Sequence, residues 1–185
     1  MGNPLRDRQS LEALADKRQV IEISEKVGSF ERLADCVRRE LEVLDDSARP
    51  QGWRERPVRG RLVFGRTGIG RGRPTLAVQL EAGIPAVCQR CLEAFEWPLV
   101  SRAELEFGAP ASSAPGEDER ELWELADDLL QPIDIVDELL VMALPLAARH
   151  EDGAGCSTGG APVAGKETTR PFADLKSQMG RKAKD

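Results

Sequence analysis

The sequence predicts an α+β domain: an antiparallel sheet with a helix near the C-terminal end packed on it, between mobile termini. Three observations carry that expectation. Apolar residues alternate with a period of two through much of 58–107, and they recur with a helical period over 133–144. Glycine clusters punctuate the alternating runs, as hairpin loops require. A chain of 185 residues, 41% hydrophobic and 31% charged, has room for one domain with a modest core. Tyrosine is absent, and five Phe and three Trp leave that core mostly aliphatic.

Met1 to Asp16 reads as a charged, weakly helical leader with no clear core face. Val20-Ile21-Glu22-Ile23 is a short strand signal. Phe30, Leu33 and Val37 lie at helical spacing and predict a short amphipathic helix over 30–37. Leu41, Val43 and Leu44 then predict a strand leading to a turn at Asp45-Asp46-Ser47. In the next run Val58, Gly60, Leu62 and Phe64 share one face and Arg59 and Arg61 the other. Gly65, Gly68, Gly70 and Gly72 mark a hairpin loop, after which Leu76, Val78 and Leu80 resume the alternation. Ile84, Ala86 and Cys88 form another short run. The odd positions from Phe95 to Phe107 predict one long strand, or two broken near Pro98. Pro132 and Pro145 bracket a helix whose apolar face is Ile133, Val136, Leu140, Ala143 and Leu144. The expected division is a leader over 1–16, one domain over 17–150 with an acidic linker loop at 109–121, and a mobile tail over 151–185.

The net charge of −6 conceals two opposed segments. From Arg49 to Arg73 there are eight arginines and one acid, and from Glu117 to Glu138 ten acids and one base. Guanidinium groups match phosphate oxygens bidentately, so Arg54, Arg56, Arg59, Arg61, Arg66, Arg71 and Arg73 are candidate RNA contacts. The same arginines suit the chain's own acids or plain solvation, and Trp53 beside them fits packing or base stacking. No run approaches the length of a membrane span, and the charged start is unlike a secretory signal. A cytoplasmic protein with reduced thiols is expected.

Cys88 and Cys91, separated by two residues at a hairpin turn, are followed far downstream by the only histidine, His150, and by Cys156. Together they form a Cys3His set that suits one structural zinc, provided tertiary folding brings the halves together. A pair of reduced thiols and a redox pair are the other readings, although a redox Cys-x-x-Cys normally opens a helix. Cys36 reads as a buried small residue. No catalytic residues are assigned and no small-molecule substrate is expected. The pairs Asp127/Asp128 and Asp134/Asp137 read as helix-start and surface acids. Gly160 to Lys166 follows a phosphate-loop pattern, but Glu167 replaces the required Ser or Thr and no strand precedes it.

Three segments resemble a known family: Cys88-Gln89-Arg90-Cys91-Leu92-Glu93, the stretch Glu138 to Leu146 leading to His150 and Cys156, and Pro171-Phe172-Ala173-Asp174-Leu175. In order and separation they are similar to the YceD family, the large-ribosomal-RNA-subunit accumulation proteins. The resemblance implies a non-enzymatic cytosolic factor in ribosome biogenesis, partnered with large-subunit ribosomal RNA or a pre-ribosomal particle. The alternative is an acidic adaptor or chaperone that holds a basic ribosomal protein through Glu117 to Glu138. Asp152 to Thr169 and Arg170 depart from the family pattern.

Overall fold

The computed structural model describes residues 3–68, 72–108, 121–124 and 129–151, together with Cys156. In chain order it forms strand β1 (Gln9–Ser10), helix α1 (Leu11–Asp16), strand β2 (Val20–Lys26) and helix α2 (Glu31–Leu41). The long strands β3 (Pro57–Arg66), β4 (Pro74–Val87) and β5 (Ala94–Phe107) follow. Short strands β6 (Glu121–Trp123) and β7 (Leu129–Leu130) then precede helix α3 (Pro132–Met142). Strands β2 to β5 pair in sequence order, each antiparallel to the next. β6 adds parallel to the end of β5, and β1 pairs with β7 in a separate ladder. The chain is an α+β protein.

Alternation decides which face of the sheet is covered. Val58, Leu62 and Phe64 of β3 and Leu76, Val78 and Leu80 of β4 are buried, and so are Leu99, Leu105 and Phe107 of β5. Leu33, Ala34, Val37 and Leu41 of α2 and Ile135, Val136, Leu139 and Leu140 of α3 complete the same core. Gly60 falls on this inner face, opposite Leu80. A Cβ there would meet the Gln79 carbonyl oxygen at 2.4 Å, so the close approach of β3 to β4 requires a glycine.

Several expectations change. The segment before Asp16 has a core face: Leu5, Leu11, Leu14 and Ala15 are buried, and Ile133 donates its N–H to the Leu5 carbonyl. Its short apolar spacing is masked in sequence by the charges between. In place of the strand expected from Leu41 to Leu44, Leu41 ends α2, continuing the Leu33–Val37 stripe by one more turn, and residues 42–44 form a turn. Ile84 and Ala86 belong to β4 rather than to a separate run. β5 passes Pro98 unbroken. Among the described strands β5 is an edge at that level, since β6 reaches only residues 105–107, and a residue without an N–H is tolerated there. In α3 the expected face packs on the core, with Val136 and Leu140 fully buried and Ile133, Ala143 and Leu144 partly so, and Ile135 and Leu139 widen it.

Asp137 is the clearest departure from the sequence reading. It is buried rather than a surface acid, and its carboxylate accepts the N–H groups of Arg32 at 3.0 Å and Leu33 at 2.9 Å. The residue at the α2 N-cap is Phe30, which has no side-chain oxygen. A carboxylate on α3 therefore satisfies the open donors of α2 across the core. At the other end, the Arg49 guanidinium donates to the carbonyls of Leu41, Glu42 and Leu44 at 3.0–3.1 Å. Tertiary partners close both ends of α2.

Candidate functional site

The β4–β5 hairpin ends in a tight turn that starts at Cys88. Leu92 donates its N–H to the Cys88 carbonyl and Cys88 its own to the Glu93 carbonyl, each at 2.9 Å. Leu92 takes a left-handed conformation, φ 61°, which points the chain back into β5. The segment after α3 is tied to this turn, because Gln89 donates to the Ala148 carbonyl at 2.9 Å. His150 then lies against the Phe95 ring, with centroids 4.3 Å apart.

These contacts bring the Cys3His set together. Cys88, Cys91, His150 and Cys156 place their ligand atoms all within 4.8 Å of one another. The Cys88 and Cys156 sulfurs are 3.7 Å apart, and the Cys91 sulfur is 3.6 Å from His150 Nδ1. Tetrahedral zinc bonds of about 2.3 Å to sulfur and about 2.0–2.1 Å to nitrogen imply edges of about 3.8 Å and about 3.6 Å. The donor set and its spacing therefore fit a four-coordinate metal. All four cysteines are free thiols, and the half-buried Cys36 stands apart from the cluster.

Electrostatics around the sulfurs also suit a cation. Burial pushes the Cys88 thiol up, but backbone N–H groups of Cys91, His150 and Arg90 outweigh it and bring it down to about 5. Burial and the neighbouring Cys156 and Cys88 sulfurs push Cys91 up to about 11. Arg90 donates Nε–H to the Cys156 sulfur at 3.0 Å. Crowded thiolates repel one another, and a divalent ion relieves that repulsion.

The candidate RNA-binding arginines are dispersed in role. Arg66 is engaged with Glu12, Asp16 and the Gly72 carbonyl and is only 17% exposed, so it anchors α1 to the end of β3. Arg73 pairs with Glu106 at 3.0 Å and Arg56 with Glu96 at 3.5 Å. Arg54 lies over the Trp53 ring at 4.8 Å, while Trp53 itself is buried in the core. Arg61 holds Glu22 at 3.2 Å on the open face of the sheet, where Arg59 is also exposed. Arg71 lies outside the described residues. The sequence reading did not single out Arg102, which stands across Gln79 from Arg61. Cross-strand register is the signal that finds it, and register exists only once the strands are paired.

Much of the acidic segment, including residues 117–120, Asp127 and Asp128, lies outside the described residues, as does Pro171 to Leu175. Of its described members, Asp137 caps α2 and Glu138 pairs with Arg32. Among the described residues no helix is long and apolar enough to cross a membrane.

A family model described as large ribosomal RNA subunit accumulation protein YceD matches residues 76–177, more than half of the chain. The chain belongs to the YceD family. The matched range holds most of β4, all of β5 and α3, and all four cluster residues, so the candidate metal centre lies wholly within the YceD likeness. The arginines from Arg54 to Arg73 precede it. No curated protein and no solved structure matches the chain.

Proposed function

We propose that this YceD-family chain supports accumulation of large-subunit ribosomal RNA as a non-catalytic cytoplasmic assembly factor that binds RNA or a precursor particle. The family match over residues 76–177 carries the reading. The only histidine belongs to the sulfur cluster, which leaves no second imidazole for acid–base work. Ultraviolet crosslinking in cells, followed by sequencing of the recovered RNA, tests the partner. A sharp peak on large-subunit ribosomal RNA is expected. Background RNA with co-purifying ribosomal proteins would instead favour an adaptor acting through Glu117 to Glu138.

Within that reading Cys88, Cys91, His150 and Cys156 hold one structural zinc. Four protein ligands close a tetrahedral site and leave no position for substrate, so such a metal is a clamp. It would fasten the β4–β5 turn to the chain beyond α3. Reduced protein purified without added chelator should carry about one zinc per chain, and Cys88→Ser should lose it. Reduced wild type free of zinc would sink the assignment.

A further inference from the structure

A groove of about 320 Å³ crosses the face of the sheet turned away from α2 and α3. Glu22, Arg59, Arg61, Gln79, Glu81 and Arg102 line it. Register builds this constellation. Glu22, Arg61, Gln79 and Arg102 stand side by side across β2, β3, β4 and β5, and Arg59 and Glu81 occupy the next outward row. With strands about 4.8 Å apart and alternate residues about 6.8 Å apart, the Cα atoms of the three arginines fall within about 12 Å of one another.

Among the described residues Arg59 and Arg102 have no acidic partner at ion-pair distance. Arg61 shares Glu22, but both side chains are more than half exposed, and an exposed pair of this kind is weak and readily displaced. Three cations against two carboxylates leave the groove with a surplus of positive charge. On β5, Glu104 follows Arg102 on the same face, and Glu96, paired with Arg56, lies beyond Val100. The exposed positions of this face carry no aromatic side chain among the described residues, so base stacking is not on offer. Exposed Val100 lies beside the arginines in the groove.

We propose that this face takes the phosphate backbone of a single RNA strand through Arg59, Arg61 and Arg102, independently of base sequence. The assignment rests on the RNA-binding reading above and narrows it. Guanidiniums grip phosphate in fork geometry, and contacts of this kind fix position without reading bases. Three phosphates neutralised on single-stranded RNA give a salt slope of about −2, whereas seven would give about −5.

Fluorescence anisotropy tests this on the full chain, with labelled single-stranded fragments of large-subunit ribosomal RNA and a scrambled fragment of equal length. Salt would be varied from about 50 to about 200 mM. Wild type is expected to bind both RNAs alike with a slope near −2. The double variant Arg59→Ala/Arg102→Ala should lose affinity by about tenfold or more, and its slope should flatten to about −0.7. Arg59→Lys/Arg102→Lys keeps the charge but not the fork, and should retain the slope while binding more weakly. Arg38→Ala/Arg39→Ala, an equal charge loss on the far side of the molecule, should bind like wild type. Wild type that binds no RNA would overturn the RNA reading itself. Wild type that binds while Arg59→Ala/Arg102→Ala keeps its affinity and slope would overturn only this face. A slope near −5, or preference for the natural sequence over the scrambled one, would overturn it as well.

Discussion

Single residues with tertiary partners hold the geometry that local sequence leaves open. Asp137 accepts two backbone N–H groups of α2 while buried, and its removal strands both donors. Asp137→Ala is expected to destabilise the protein by about 2–4 kcal/mol, and Asp137→Asn, which keeps one carbonyl acceptor, by roughly half as much. Urea unfolding of the two variants measures both, and equal losses would contradict the two-acceptor account. Gly60 acts by absence. A methyl group at that position meets the Gln79 carbonyl oxygen first, which no side-chain rotation relieves, so Gly60→Ala should cost about 1–3 kcal/mol through displacement of β4. A thermal midpoint unchanged from wild type would show that β3 and β4 separate freely. Leu92 shows the converse case: a left-handed residue with a side chain, 64% exposed, closes the turn that carries two candidate ligands.

At the scale of elements, α2 is amphipathic enough to be placed by its stripe but carries no cap of its own at either end. Its first turn depends on α3 and its last on Arg49, seven to eight residues from the carbonyls of Glu42 and Leu41 that it covers. Arg49→Ala is expected to cost about 1 kcal/mol and to fray the last turn. Hydrogen exchange should quicken in residues 38–44 while the first turn, held by Asp137, stays protected. Uniform acceleration along α2 would mean that the helix opens as one unit. The long strands divide their labour by face. Inner residues of β3, β4 and β5 form the core, and outer residues of the same strands assemble the arginine groove.

For the whole molecule, the sulfur cluster joins chain segments far apart in sequence, and the ion pairs around the sheet join others. Cys88 and Cys156 are 68 residues apart, and Arg66 reaches back 54 residues to Glu12 and 50 to Asp16. If zinc binds only the folded form, free zinc at a thousandfold above its Kd stabilises by about 4 kcal/mol. Chelation should then lower the thermal midpoint by about 8–16 °C for a chain of this size. Cys88→Ser should begin at the lowered midpoint and respond little to chelator. The same midpoint for wild type with and without chelator would remove the clamp from the account.

Periodicity alone makes most of this fold legible in the amino-acid sequence. Alternation identifies β3, β4 and β5 and assigns Arg59 and Arg61 to the outer face, because the two faces of a pleated strand differ in solvent contact residue by residue. The Cys-x2-Cys spacing marks a candidate ligand pair at a hairpin turn, since that turn is local. The meeting of that pair with His150 and Cys156 is decided by tertiary structure, through the docking of α3 and the Gln89–Ala148 hydrogen bond. So is the division of the arginines into fold-holding ion pairs and an open groove, because sequence shows charge but not partners. The roles of Arg102 and Asp137 are hidden in the sequence for the same reason. They depend on strand register and helix packing, which place groups from distant parts of the chain within reach of each other, and neither is encoded in the neighbours of the residue concerned.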